Sequence, residues 1–233
     1  MKLLALDTSS EGCSAALWLD GRLNGRFQVA PRGHTRLLMP MVRELLAEEG
    51  LVPADLDALA FARGPGSFTG LRIATGVIQG LAWGLDIPVV PVSSLTAVAL
   101  QAMDKYQLTE GARIVVAFDA RMDEVYLGTY ECRSGWPIPL SEERVCPPEA
   151  VGLGRSDGEN WLAAGSGWAY AARMPAAVTA AVSATDESLV PRAVEVARLA
   201  EYDYRQGRAV RADQAQPVYV RDEVAWKKLP GRD

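Results

Sequence analysis

The chain has 233 residues, 49% of them hydrophobic and 23% charged, which excludes disorder and suffices for one large domain or two lobes of about 100 residues each. A net charge of −5 argues against a protein that grips nucleic acid by itself, because neutralising phosphates needs a basic surface; if RNA is involved, another subunit is expected to supply the charge. Cys13, Cys132 and Cys146 share no metal or disulfide spacing, Asp7 interrupts the apolar start, and no stretch reaches the roughly 20 apolar residues of a membrane span, so the expectation is a soluble cytoplasmic protein that meets no membrane.

Residues 3–6 read as a buried strand and 14–19 as a second. The Asp20-Gly21 dipeptide is a hairpin turn, so 22–29 returns as a third strand. After the break at Pro31-Arg32-Gly33, Leu37, Leu38, Met41, Val42, Leu45 and Leu46 recur at helical spacing up to Gly50, and Pro40 inside the pattern predicts a kink or a local adjustment. A short strand at 59–62 leads into the loop Arg63-Gly64-Pro65-Gly66-Ser67-Phe68-Thr69-Gly70. A helix over 71–83, a strand over 88–92 and a helix capped by Ser93 or Ser94 and running to about Met103 complete the first half.

The second half begins like the first. Residues 4–9 place Asp7 at the end of a buried strand before a hairpin, and residues 116–121 do the same with Asp119. Two lobes that begin alike predict an α/β, two-lobed actin-like (ASKHA) fold with duplicated ribonuclease-H-like domains. The second lobe reads as degenerate, with one clear short strand at 161–164 after Pro- and Gly-rich stretches. Residues 189–204 form an amphipathic helix, and an extended tail closes the chain. The boundaries follow as 1–104, 105–187, a helix at 188–210 packing back on the first lobe, and a tail at 211–233.

Exposed amides at a helix N-terminus make the loop with Gly64, Gly66 and Ser67 a ready anion site. No Lys follows its last Gly, so it is not a Walker A loop. The same glycines also serve a tight strand-to-helix turn. Asp7, Thr8 and Ser9 sit in the first hairpin turn, which in actin-like folds faces nucleotide phosphates. Asp7 there either holds a hydrated magnesium ion or makes an Asx-turn. His34 is the only histidine, which excludes a histidine-based metal site and leaves a role at the helix start. Glu48, Glu49, Asp55, Asp57, Glu142, Glu143, Asp222 and Glu223 read as solvated faces.

The helix after the loop is apolar nearly all round. Ile73, Val77, Leu81 and Leu85 form one line; Gly76, Gly80 and Gly84 form another, expected to lie close on the sheet. With the broad apolar helix before it, this predicts an exposed patch too large for a monomer unless the second lobe covers it.

Leu6-Asp7-Thr8-Ser9, His34 with Leu37-Leu38 and Pro40, and the decapeptide from Gly64 to Ile73 together resemble the TsaB (YeaZ) family. So do Pro91-Val92-Ser93-Ser94-Leu95, Asp119-Ala120-Arg121 with Glu124-Val125-Tyr126, and Pro217-Val218-Tyr219-Val220-Arg221. The resemblance spans almost the whole chain and is thin from 137 to 184. It implies a non-catalytic scaffold that pairs with TsaD in making threonylcarbamoyladenosine beside the anticodon of transfer RNAs reading codons that start with adenosine. TsaD carries a His-x-x-x-His metal motif whose positions fall here at Ser94 and Val98, so no catalytic or metal-binding residue is expected. The implied partner face is Leu37, Leu38, Met41, Leu45, Ile73, Val77 and Leu81. TsaE joins the complex, TsaC supplies the threonylcarbamoyl-adenylate, and ATP or ADP sits at the interface with TsaD. Alone, the chain is expected to form a homodimer through the same face, and to meet transfer RNA only through the complex. The rival reading is a stand-alone ATPase or kinase of the actin-like superfamily; a metallopeptidase fails on its missing ligands.

Overall fold

The computed structural model describes residues 1–154 and 160–221. In the first lobe, β1 (Lys2–Asp7), β2 (Gly12–Leu19) and β3 (Arg22–Val29) form an antiparallel meander, followed by α1 (His34–Glu48), β4 (Ala58–Gly64), α2 (Phe68–Leu85), β5 (Val89–Ser93) and α3 (Ser94–Tyr106). In the second, β6 (Arg113–Asp119), β7 (Val125–Arg133), β8 (Trp136–Pro139), β9 (Arg144–Cys146), β10 (Trp161–Ala164), α4 (Ala176–Ala181), β11 (Val182–Asp186) and α5 (Ala193–Arg205) follow.

Among the described residues the strands form two sheets of the same plan. The first has the order β3-β2-β1-β4-β5 and the second β8-β7-β6-β10-β11, with β9 added beside β7. In each, the opening strands pair antiparallel and the later ones add in parallel. Parallel strands need crossovers, which α2 supplies in the first lobe. This repeated order is the duplicated architecture of a two-lobed actin-like fold. Strands β8, β9 and β11 join the single short strand expected at 161–164. The second lobe is degenerate in its helices, α4 having only 6 residues.

Alternation along β1 sends Leu4 and Leu6 to one face of the first sheet and Leu3 and Ala5 to the other. The first face packs on Leu38, Met41, Val42, Leu45 and Leu46 of α1 and Ala74, Ile78 and Ala82 of α2. The second packs on Ala97 and Leu100 of α3 and Ala193, Val196, Ala197 and Ala200 of α5, so α5 lies on the first lobe's sheet. Leu95, Val98, Ala99 and Ala102 of α3 face the second sheet, which makes α3 the helix shared by both lobes. The far side of the second sheet holds Trp161, Trp168, Met174 and Val178.

Helix boundaries differ from the periodicity where caps decide them. Helix α2 begins at Phe68, because Ser67 accepts from the Gly70 amide at 3.3 Å as its N-cap. Helix α5 begins only at Ala193, because Pro191 disfavours helix before it and Arg192 is extended. Helix α1 runs through Pro40 as one helix. The expectations for 222–233, including the Asp222-Glu223 pair, lie outside the described residues.

Candidate functional site

The glycine loop is built against the first hairpin turn. A Cβ at Gly66 or Gly70 would lie under 3.0 Å from the carbonyl oxygens of Ser9 and Thr8, closer than side chains ever sit. Ser67 N–H donates to the Ser9 carbonyl at 2.7 Å, and the Thr8 hydroxyl donates to the Gly70 carbonyl at 2.6 Å. Gly64 has φ +112°, a left-handed conformation that suits glycine. These glycines serve close backbone approach, and the amides of Ser67 and Gly70 are already bonded within the chain.

Asp7 is 0% exposed. Its Oδ1 accepts from the Ser9 amide at 3.0 Å and the Ser9 hydroxyl at 2.6 Å, which is an Asx-turn. Its Oδ2 meets no donor among the described residues. Burial pushes its carboxyl up to about 7, against the lowering by the Ser9 bonds. The carboxyl is sealed from solvent. Asp7, Thr8, Ser9, Gly64, Gly66 and Ser67 are thus brought together, where they pack the glycine loop onto the turn. His34 serves the same turn, its Nε2 lying 2.9 Å from the Ser10 carbonyl and 3.2 Å from that of Gly12.

The expected partner face divides in two. Leu38, Met41 and Leu45 are core residues, Met41 being only 7% exposed. The i, i+3, i+7 line they form points at the sheet, so assigning them to an open face is corrected; Leu37 stays half-buried. On α2 the sheet-facing line is Leu71, Ala74, Ile78 and Ala82. Ile73, Val77 and Leu81 are half-buried on its flank. Gly76, Gly80 and Gly84 point away from the sheet, with nothing within 4 Å of an added Cβ. This reverses the expectation that they lie against it. Helix α2 packs on β4, β1, α1 and the C-terminal segment, and its outer side carries a bare backbone trough ending at Trp83, which is 72% exposed. Helices approach one another as closely as their contact side chains allow, so this trough admits a partner unusually near.

Ser94 and Val98 are fully buried at the lobe junction. Among the described residues no group of three or more His, Cys, Asp or Glu side chains is placed to hold a metal. Beside them the solvated reading of Glu143 fails: it accepts from the Ser93 hydroxyl and, at 3.0 Å, from the Tyr130 hydroxyl. Burial, followed by the Glu143 charge, pushes the Tyr130 hydroxyl well above its ordinary value. Thr96 donates to the Tyr130 hydroxyl at 3.3 Å. The sequence gives no signal for this network, whose members come from β5, α3, β7 and the segment before β9.

The family model described as "TsaD: tRNA N6-adenosine threonylcarbamoyltransferase" matches residues 28–228. The chain is 41% identical over 242 residues to the tRNA threonylcarbamoyladenosine biosynthesis protein TsaB of Haemophilus influenzae, covering 100% of this chain and 99% of that one. It is 40% identical over 236 residues to the protein of the same name from Escherichia coli K12, covering 100% of each. Among solved structures, YeaZ from Pseudomonas aeruginosa is 45% identical and superposes with a TM-score of 0.87 over 94% of this chain and 99% of that one.

Proposed function

The chain belongs to the TsaB (YeaZ) family, and we propose that it acts in tRNA threonylcarbamoyladenosine biosynthesis as a non-catalytic subunit that pairs with TsaD through the outer face of α2. The observation that carries this reading is the trough at Gly76, Gly80 and Gly84, open to solvent and flanked by Ile73, Val77 and Leu81. Apolar area left in water costs about 25 cal/mol per Å². Such a face is most stable covered, and a glycine trough suits a helix as its cover. That the TsaD family model matches 28–228 supports a partner of the same architecture, with like face meeting like face.

The reading gives this chain no cofactor and no catalytic group; Asp7 lies sealed and Ser94 and Val98 offer no ligand. TsaD supplies the transferase chemistry, TsaE joins the assembly and TsaC makes the threonylcarbamoyl-adenylate. ATP or ADP, where the complex needs it, is held with TsaD at the interface. Without TsaD, the face pairs with a second copy of this chain. Transfer RNA is held by the complex, since the net charge of −5 disfavours phosphate binding by this subunit alone.

The experiment is co-expression with TsaD, followed by sizing and an assay for the modified nucleoside. The expected result is a heterodimer that forms the nucleoside only with every component present, while the chain alone turns over neither ATP nor transfer RNA. Turnover by the purified chain, lost on Asp7→Ala, overturns the non-catalytic role.

A further inference from the structure

After α5 the chain runs beside α2 and then crosses to the second lobe. Gln79 donates to the Ala215 carbonyl at 2.8 Å, and Val218 N–H donates to the Arg63 carbonyl at 2.8 Å. The Val218 carbonyl fills the space a Cβ on Gly64 would need, 2.8 Å from it. The Tyr219 ring lies 5.4 Å from that of Phe68, and its hydroxyl accepts from Arg72 at 3.2 Å. Arg72 in turn lies over the Phe68 ring, 4.0 Å from its centroid. The first lobe thus holds this segment by main chain, aromatic ring and guanidinium.

Arg221 reaches the second lobe. It pairs with Glu124, donates to the Ala120 carbonyl at 3.3 Å and meets the Met122 sulfur at 3.2 Å. Its side chain is 17% exposed and that of Glu124 is 30% exposed, so this pair is screened less than a surface pair. The turn it grips is strained. Arg121, Met122 and Asp123 have φ of +62°, +55° and +59° in succession, a region that side chains with a Cβ enter at a cost. Local bonds hold it: Ala120 N–H to the Glu124 carbonyl at 2.9 Å, Glu124 N–H to that of Arg121 at 3.1 Å, and the Arg121 N–H and guanidinium to the Asp119 carboxylate at 2.8 and 3.2 Å. Arg173 adds an ion pair to Asp123 at 3.3 Å.

We propose that residues 215–221 form a strap that fastens α2 to the strained 119–124 turn, so that the turn keeps its conformation only while the strap is seated. The strap has a broad anchor on the first lobe and a narrow one on the second. Losing the Arg221–Glu124 pair frees the turn to leave its left-handed backbone, and it leaves residues 218–220 on the first lobe without their far anchor. Because Tyr219 lies on the first turns of α2, a partner seated on α2 meets the strap at its edge and biases the turn. That last coupling rests on the proposed pairing; the fastening itself does not.

Hydrogen exchange of the full chain alone, read by mass spectrometry, tests the strap. Arg221→Ala and Glu124→Gln are expected to speed exchange of 120–124 about ten-fold, and exchange of 64–72 in the same direction. Tyr219→Ala, at the other anchor, should speed the same two segments. Arg26→Ala, which removes an exposed pair with Glu48 between β3 and α1, should change neither. Unchanged exchange at 120–124 in the first two variants overturns the proposal. So does a loosened turn with 64–72 unaffected, which is a local ion pair and not a strap, and so does uniform acceleration through both lobes. No arm involves a partner, so a chain whose strap behaves as stated but which does not bind TsaD defeats the pairing reading alone.

Discussion

Gly70 and Thr8 are locked together: the Thr8 hydroxyl donates to the Gly70 carbonyl at 2.6 Å, and a Cβ on Gly70 would sit under 3.0 Å from the Thr8 carbonyl oxygen. Gly70→Ala has no flexible side chain to displace, only backbone on β1's turn. It should cost about 1–3 kcal/mol by overpacking, measured by urea unfolding. The opposite sign is expected ten positions on. Gly80 meets nothing within 4 Å and lies inside α2, so Gly80→Ala should stabilise the isolated chain by about 0.5–1 kcal/mol.

Met41 gives the contrasting case on α1. At 7% exposed, in the cluster with Leu6, Leu38 and Leu45, it is core. Met41→Ala should cost about 2–5 kcal/mol, and Met41→Glu should fail to fold in a thermal melt. A Met41→Glu protein that melts like the parent would place that side chain outside the core.

The carboxyl of Asp7 is pushed up to about 7 by burial, above its unfolded value near 4. The native state therefore holds a proton that the unfolded chain has released. The contribution is fully present below about pH 4 and is lost as pH rises toward 7, at a slope on the order of 1.4 kcal/mol per pH unit. Other carboxylates act in the opposite sense; Asp186 is held low by Lys105, Ser188 and Tyr106 despite its own desolvation. The readout is thus the difference between the parent and Asp7→Asn. The variant should lose this fall, so its stability relative to the parent should rise between pH 4 and 7. A constant difference across that window would show that Asp7 does not titrate there.

Glu143 joins the Ser93 and Tyr130 hydroxyls across the lobe junction. Glu143→Ala leaves two buried hydroxyls short of a partner and should cost about 1–3 kcal/mol, read by denaturant unfolding. Tyr130→Phe should cost less in the Glu143→Ala background than in the parent, because they share one bond.

The two-lobed plan was legible because each lobe opens with a buried strand, an Asp and a hairpin, at Asp7 and at Asp119. Helix α1's stripe was legible too, though its direction was not: Leu38, Met41 and Leu45 form the only strong apolar line on that helix, and such a line seeks the sheet first. On α2 two candidate lines competed. Neither the Ile73, Val77, Leu81 and Leu85 line nor the glycine line takes the sheet: Leu71, Ala74, Ile78 and Ala82 do, while Ile73, Val77 and Leu81 are left half-buried on the flank and the glycines outside. The loop's glycines left an anion cradle and a tight turn both open, because close approach to a phosphate and to the Thr8 and Ser9 carbonyls demand the same missing Cβ. Strands β8, β9 and β11 are short edge or near-edge strands that carry little alternation, and Glu143 and Arg221 find partners 50 and 97 residues away, beyond any local pattern.

The central claim is that the bare face of α2 is where TsaD binds, and one substitution tests it most directly. Gly80→Leu adds a side chain into open space, so the isolated chain should fold and melt at or above the parent's temperature. Binding to TsaD, measured by titration calorimetry with sizing by light scattering, should weaken about ten- to a hundred-fold, since overpacking a close helix contact costs about 1–3 kcal/mol. Self-association of the chain alone should fall with it. A Gly80→Leu protein that is folded and binds TsaD as tightly as the parent would contradict the account and place the partner elsewhere on the molecule.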